Sequence, residues 1–170
     1  MNPFFLRART GLGGKITSFL NRPKVELDFK EEENYVVRNV NDRVLEIRLK
    51  IINNGLTTAK RTNVKLESVI QGEMNVLTRD PHENYFKLNI SDEDLQNGDY
   101  KFIELIKKRG TVKEGRKKIE LFTKTDQKID EHDVVFNIVV TGEYFPAFKK
   151  SFKYEHNEDV REAKFYELSK

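Results

Sequence analysis

Residues 43–70 have the sequence RVLEIRLKIINNGLTTAKRTNVKLESVI, and the first half of this stretch places an apolar side chain at every second position. A two-residue period is typical of a β-strand that buries one face and exposes the other to water. The positions expected to be buried are Leu45, Ile47, Leu49 and Ile51, and the positions between them are Glu46, Arg48 and Lys50. The segment therefore predicts a long, half-buried strand.

The second half of the stretch repeats the alternation. We expect Val64, Leu66 and Ile70 on the buried face, with Lys65, Glu67 and Val69 on the opposite face. Asn54 and Gly55 lie between the two halves, and an Asn-Gly pair supplies the positive backbone angles that a tight reversal needs. The stretch therefore predicts an antiparallel hairpin.

The run RLKIINNGLTTAKRTNVKLESV, within a stretch of about 28 residues, resembles bacterial and archaeal immunoglobulin-like sandwich modules, including cell-adhesion-related (CARDB-type) domains. Those modules carry an apolar alternating strand, then Asn-x-Gly, then a small residue such as Ala59 here, then a second alternating strand. The resemblance implies a two-sheet fold and a role in binding, spacing or presentation. It implies no catalytic residues, because modules of this type have no fixed ones.

Further strand-like segments recur along the chain with turn signals between them. They lie at 24–29, 34–39, 85–90, 100–106, 118–122, 133–141 and 148–154. Ser91, the acids that follow it and Gly98 are typical of one capped helical turn, which we place near residues 92–97. These patterns predict an all-β fold, an immunoglobulin-like antiparallel β-sandwich of about seven to nine strands with one short helical turn.

Length and composition indicate one domain with additional segments at both ends. We assign residues 1–22 to a basic and aromatic N-terminal segment, residues 23–156 to the sandwich, and residues 157–170 to a charged C-terminal tail. Cysteine is absent, which excludes disulfides, thiolate metal sites and cysteine catalysis.

The net charge of +3 is distributed unevenly. Residues 1–25 contain five bases and no acid, whereas the remaining 145 residues contain 26 bases and 28 acids. The positive excess therefore belongs to the N-terminal segment, and the body of the chain implies no general attraction to nucleic acid.

Two interpretations of the N-terminal segment are open. Either it is a tail that packs on the domain or is disordered, or it lies on an anionic membrane surface. The candidate membrane contacts are Phe4, Phe5, Arg7, Arg9, Lys15, Phe19 and Leu20. No run approaches the roughly 20 apolar residues of a spanning helix, and Arg7 and Arg9 interrupt the apolar region that a signal peptide needs. A related hypothesis is that the chain is one piece of a longer, membrane-anchored protein, and the sequence assigns no compartment.

The segment at 107–118, KKRGTVKEGRKK, carries seven bases and one acid. A basic hairpin can bind nucleic-acid phosphates, and the residues that would do so are Lys107, Lys108, Arg109, Lys113, Arg116, Lys117 and Lys118. A solvated hairpin tip is the favoured interpretation, because no aromatic residue interleaves the bases to stack on a single strand.

An aromatic turn at residues 144–148 is a second candidate interaction patch, with Tyr144, Phe145 and Phe148 as its contact residues. Such a cluster forms either a recognition tip or a cap that folds back over the open end of the sandwich.

No catalytic or metal-binding pattern is present in the sequence. Residues 11–17, GLGGKIT, fail the spacing of a phosphate-binding loop, and the acids that follow Ser91 fail the register of a calcium loop. The three histidines lack a metal-ligand spacing, and no serine lies in a nucleophile elbow. We therefore expect no enzyme activity, no catalytic or metal-ligating residue, no cofactor and no small-molecule substrate.

Two hypotheses of function follow from these patterns. The first is a non-catalytic interaction or accessory module that binds an unidentified protein partner and is associated with an anionic membrane surface through residues 1–22. The second is a nucleic-acid-binding β-domain that uses the basic hairpin at 107–118, and this partner is the less expected one.

Overall fold

A computed structural model of the chain describes residues 21–39, 44–77, 86–87, 90–109, 118–121, 128–130, 132–157 and 162–169. Within these ranges there are thirteen strands and no helix. The strands are β1 (Val25–Asp28), β2 (Val36–Asn39), β3 (Val44–Asn53), β4 (Ala59–Gln71), β5 (Met74–Asn75), β6 (Phe86–Lys87), β7 (Glu93–Leu95), β8 (Tyr100–Arg109), β9 (Lys118–Leu121), β10 (Lys128–Asp130), β11 (Val134–Glu143), β12 (Phe148–Glu155) and β13 (Lys164–Glu167).

The strands form two antiparallel sheets that pack against each other. The first sheet has the order β1-β3-β8-β9-β10, and β2 also pairs with β3. The second has the order β13-β12-β11-β4-β5, and the short strands β6 and β7 also pair with β4. The predicted all-β antiparallel sandwich is therefore confirmed.

One apolar core fills the space between the sheets. Its side chains come from alternate strand positions, as the period of two requires. Leu49 and Ile51 are fully buried in β3, and Phe136 and Ile138 are fully buried in β11. β3 was therefore predicted with the correct buried face.

The predicted hairpin between the two halves of residues 43–70 is wrong. β3 belongs to the first sheet and β4 to the second, so residues 54–58 carry the chain from one sheet to the other. Gly55 does not have a positive φ angle. It is needed because a Cβ atom there would lie 2.2 Å from the backbone nitrogen of Lys24. The Asn-Gly pair thus serves a close approach of two backbones and not a tight turn.

The expected burial in β4 is wrong after Leu66, because β4 contains a bulge. Leu66 pairs with Ile138 and Ser68 with Asn137, so β4 has one residue more than β11 over this interval. An extra residue reverses the alternation beyond it. Val69 is therefore fully buried and Ile70 only half-buried, the opposite of the expected order.

The helical turn expected near residues 92–97 is absent, and β7 lies there instead. Leu95 is fully buried and pairs with Ala59 in β4. The pairing of β7 with the edge of β4 therefore outweighs the local signal for a capped helical turn. Gly98 follows β7 in a left-handed conformation, with a φ of 80°.

The C-terminal segment differs from the charged tail that we expected at 157–170. β13 pairs with β12 in the second sheet. The Phe165 ring is buried, meets the Phe29 ring edge-on at a centroid distance of 4.7 Å, and stacks on the Phe152 ring at 5.5 Å. Phe29 directly follows β1, an edge strand of the first sheet, and β13 is an edge strand of the second. The contact between the Phe29 and Phe165 rings thus joins these two edges, and β13 completes this side of the sandwich.

Candidate functional site

The strand directions place the two candidate sites at opposite ends of the sandwich. Val25 pairs with Asn53, so the chain enters β1 beside the end of β3. Glu143 pairs with Lys60, so the turn after β11 lies at this same end. We call it the N-terminal end. β8 starts here and runs antiparallel to β3, so β8 ends with Arg109 at the other end, which we call the hairpin end.

An open cleft of about 1280 Å³ occupies the N-terminal end. Three stretches that are distant in sequence meet around it: the residues before β1, the connection between β3 and β4, and the turn between β11 and β12. The lining residues are Asn21, Arg22, Pro23, Lys24, Asn54, Gly55, Leu56, Thr57, Thr58, Lys60, Tyr144, Phe145 and Pro146. We call it the N-terminal cleft.

Asn53 fixes the backbone beneath this cleft. Its side chain is completely buried, and its Oδ1 accepts hydrogen bonds from the backbone N–H groups of Lys24 (3.1 Å) and Gly55 (3.0 Å). Its Nδ2 donates to the carbonyl oxygens of Thr57 (2.8 Å) and Leu95 (2.9 Å). The four partners are backbone groups of three segments, since Gly55 and Thr57 both belong to the connection between β3 and β4. One side chain therefore holds these three segments together.

Two glycines allow the close packing that shapes the cleft. At Gly55 a Cβ atom would also lie 2.5 Å from the carbonyl oxygen of Arg22. At Gly142 it would lie 2.4 Å from the Phe145 ring. Both distances are shorter than van der Waals contact allows. The segment before β1 can therefore pack on residue 55, and the Phe145 ring on residue 142, only because these residues are glycines without a Cβ atom.

The aromatic turn has a mixed arrangement. Phe145 is buried and Phe148 is half-buried against the core, so these two rings fold back over the end of the sandwich. Tyr144 is 65% exposed and has a φ of 71°, a left-handed conformation that is rare for a residue with a side chain. Of the three aromatic residues predicted as an interaction patch, Tyr144 is the one whose ring points outward. The interpretation as a cap describes Phe145 and Phe148, and the interpretation as a recognition tip describes Tyr144.

Leu56 is the second exposed apolar side chain in the lining, with 66% of its surface accessible. It follows Gly55 directly and belongs to the connection between the sheets. Sequence reasoning missed it as a site residue because we assigned it to a turn. A large apolar side chain directly after an Asn-Gly pair was the available signal.

The charges of the cleft lining have one sign. Arg22, Lys24 and Lys60 are basic, and no acidic residue lines the cleft within the described part of the chain. Lys24 forms an exposed ion pair with Glu26 at 2.9 Å. The hydrogen bond from Lys24 holds the pKa of Glu26 below its ordinary value of 4.5, against the opposing effect of burial. The cleft is therefore an open, basic surface with two exposed large apolar side chains, Leu56 and Tyr144.

The candidate membrane contacts at residues 1–20 lie outside the described residues. The structure does describe the point at which that segment joins the domain. Asn21 and Arg22 line the cleft, and the Asn21 carbonyl accepts a hydrogen bond of 2.6 Å from the Thr57 hydroxyl. Asn21 and Arg22, which join the N-terminal segment to the domain, thus lie at the same end of the sandwich as the outward ring of Tyr144.

The structure describes the side chains of two of the basic residues proposed as a nucleic-acid patch, Lys107 and Lys108. Lys108 is buried, and its Nζ donates to the Asn157 carbonyl oxygen at 3.2 Å. Lys107 is an ion-pair partner of Glu46, which also binds Arg48 at 2.9 Å. Two of the seven bases therefore have structural contacts. The backbones of Arg109 and Lys118 lie in β8 and β9, and Lys113, Arg116 and Lys117 fall outside the described residues.

Glu46 is the acid at the centre of an ion-pair cluster on the outer face of the first sheet. The hydrogen bond from Lys107 lowers its pKa from the ordinary 4.5, with a smaller contribution from Arg48 and an opposing one from burial. Arg48, expected on the exposed face, is half-buried and also lies 3.7 Å from Glu104. The ion pairs among these side chains explain why charged residues of β3 and β8 are half-buried.

Among the described residues, no group of three or more His, Asp or Glu side chains has a metal-binding arrangement, and no helix is long and apolar enough to cross a membrane. Comparisons of the chain with protein-family models, with curated proteins and with solved structures find no significant match. Function is therefore inferred from the geometry of the chain itself.

Proposed function

We propose that this protein is a non-catalytic interaction module, of the immunoglobulin-like sandwich class that residues 48–69 resemble, and that it associates with an anionic membrane surface through residues 1–22. In this arrangement the N-terminal end of the sandwich faces the lipid and the hairpin end faces away. The body of the sandwich then remains accessible to a protein partner.

The observation that carries this proposal is the composition of the surface from which the N-terminal segment leaves the domain. Arg22, Lys24 and Lys60 contribute positive charge to the cleft lining, and the lining has no acid among the described residues. The segment itself adds Arg7, Arg9 and Lys15. Basic residues close to an anionic surface each add about 1 kcal/mol of attraction, so segment and cleft favour the same partner.

A vesicle-binding experiment tests the proposal. We expect the full chain to co-sediment with anionic vesicles and only weakly with neutral ones. A shortened chain that begins at Asn21 should lose this binding, since it lacks the apolar and aromatic side chains of residues 1–20. We choose Asn21 because the shortened chain then retains the hydrogen bond to Thr57.

The control for this experiment is the melting temperature of the two chains. If residues 1–20 only pack on the sandwich, the shortened chain melts at a lower temperature and vesicle binding is the same for both. Equal binding by both chains, or none by either, contradicts the proposed membrane association.

A further inference from the structure

The N-terminal end of the sandwich presents apolar side chains in a fixed geometry. Among the described residues, the exposed large apolar side chains are Leu56, Met74, Tyr100, Tyr144 and Tyr166. Leu56 and Tyr144 line the same cleft, although 88 positions separate them in the sequence. Tyr100 starts β8 at this end as well, on the outer face of the first sheet.

Both cleft side chains are held outward by their backbone. Tyr144 has a φ of 71° while the neighbouring Phe145 is buried, so the turn directs one ring inward and the next one out. A residue with a side chain persists in this conformation only where the surroundings enforce it, and such positions cluster at binding sites. Leu56 follows Gly55, whose nitrogen is bonded to the buried Asn53 side chain. The backbone at these two positions therefore needs no rearrangement when a partner binds.

We propose that this end of the sandwich is a second, rigid membrane contact, in which Leu56 and Tyr144 enter the headgroup layer of an anionic bilayer between the basic side chains of the cleft. The inference rests on the proposed function, because residues 1–22 bring the end to the lipid. Exposed apolar side chains surrounded by basic ones are suited to the surface of an anionic bilayer. There the apolar side chains insert at the boundary between headgroups and acyl chains, and the basic side chains stay near the headgroup phosphates.

An anionic bilayer fits this surface better than a protein segment. The lining offers three bases and no acid within the described residues, and the cleft is open. The chain also leaves the cleft directly into the basic and aromatic N-terminal segment, so both contacts meet one continuous surface. Two linked contacts bind more tightly than either contact alone, because the second is formed at a high effective concentration.

Acidic residues at the same end limit how the domain is oriented. Asp94 and Asp99 are exposed near β7, and Leu95 between them pairs with Ala59. An anionic surface repels these carboxylates, so the sandwich is expected to tilt with the cleft toward the lipid and β7 away from it.

Tryptophan fluorescence tests this contact, since the chain contains no tryptophan. Leu56→Trp and Tyr144→Trp each place a single reporter in the cleft, and Met74→Trp places one at the hairpin end, where the original side chain is 70% exposed. We expect anionic vesicles to shift the emission of the two cleft reporters to shorter wavelength, and brominated lipids to quench it. The Met74→Trp emission should stay unchanged.

A second measurement uses the full chain without a reporter. Leu56→Ser combined with Tyr144→Ser should weaken binding to anionic vesicles about tenfold, since two apolar side chains lose partial burial in the interface. Met74→Ser should bind as the unmodified chain does. These positions are exposed, so melting temperatures should confirm that all variants fold.

The outcomes separate this inference from the proposed function. If the unmodified chain binds anionic vesicles but the cleft reporters do not shift and the double variant binds equally well, the second contact is wrong and the proposed function stands. If the unmodified chain does not bind, both are wrong. Cleft reporters that respond to a protein partner and not to vesicles also overturn this inference.

Discussion

At the scale of single residues, Asn53 is the polar side chain that organises the candidate site. We expect Asn53→Ala to destabilise the protein by more than about 3 kcal/mol, because it leaves two N–H groups and two carbonyl oxygens, all of them buried or partly buried, without their partner. Urea denaturation measures this loss. The neighbouring Asn54 is the control: its side chain is exposed and bonds only to Glu26 among the contacts described, so Asn54→Ala should cost less than about 0.5 kcal/mol. Equal losses for the two variants would contradict this role of Asn53.

Glu46 gives a pH-dependent prediction at the same scale. Its pKa is lower in the folded chain than the ordinary 4.5, chiefly through the hydrogen bond from Lys107. The ion pairs therefore contribute stability above about pH 4.5, and this contribution is lost as the pH falls through the lowered value. We expect up to about 1 kcal/mol at neutral pH.

Denaturation of Glu46→Gln between pH 6 and pH 3 measures this contribution. The variant should be less stable than the unmodified chain at pH 6 and should lose less stability as the pH falls. Glu155→Gln is the matched control. The pKa of Glu155 is also lowered, first by the Tyr166 hydroxyl and then by Lys153, but water screens this exposed group and its effect should be smaller. A steeper pH dependence for Glu46→Gln than for the unmodified chain would contradict the assignment.

The residues of the core could be predicted from the sequence, and the buried polar ones could not. The alternation of apolar residues from Leu45 to Ile51 is enough to identify the buried positions of β3. Alternate residues lie on the same face of a strand, and the hydrophobic effect buries the apolar face. The burial of Asn53 and Lys108 depends on carbonyl acceptors that lie 42 and 49 positions away in the chain. No local pattern contains that information.

At the scale of elements, the bulge in β4 gives the sharpest prediction. Val69→Ala should cost about 2–3 kcal/mol, because Val69 is fully buried and loses two methyl groups to a cavity. Ile70→Ala should cost about 1 kcal/mol, since Ile70 is only half-buried. Thermal denaturation of the two variants ranks them. A larger loss for Ile70→Ala would mean that β4 follows the unbroken alternation and contains no bulge.

The existence of most strands followed from the sequence, whereas several of their partners did not. The alternation of β3 and β4 is satisfied equally by a hairpin and by two strands in opposite sheets, because both arrangements bury the same face. β13 was missed since KFYE contains one buried residue, Phe165, among three exposed ones. Its place is decided by the Phe29 and Phe152 rings, which are distant in sequence.

At the scale of the whole molecule, the charge asymmetry was visible in the sequence and the cleft was not. The five bases of residues 1–25 indicate where the positive excess lies. The meeting of Lys24, Leu56, Lys60 and Tyr144 depends on the crossover between the sheets and on the pairing of β11 with β4, and we had predicted a hairpin in place of that crossover.

The separation of the two ends predicts that membrane binding depends on the position of charge and not on its sum. The ten residues of β8 rise about 3.3 Å each, so the N-terminal end and the end of β8 at Arg109 are roughly 30 Å apart. This distance exceeds the Debye length of about 8 Å at physiological salt. Bases at the hairpin end should therefore contribute little to a contact at the N-terminal end.

Two charge-reversed chains of equal net charge test this prediction. One replaces Arg7, Arg9 and Lys15 with Glu, and the other replaces Lys113, Arg116 and Lys117 with Glu. Since each replacement subtracts two charges, both change the net charge from +3 to −3. The first should lose about two orders of magnitude in affinity for anionic vesicles, from about 1 kcal/mol for each of the three bases. The second should bind nearly as the unmodified chain does. Equal losses would show that binding follows net charge alone, and a larger loss in the second chain would place the contact at the hairpin end.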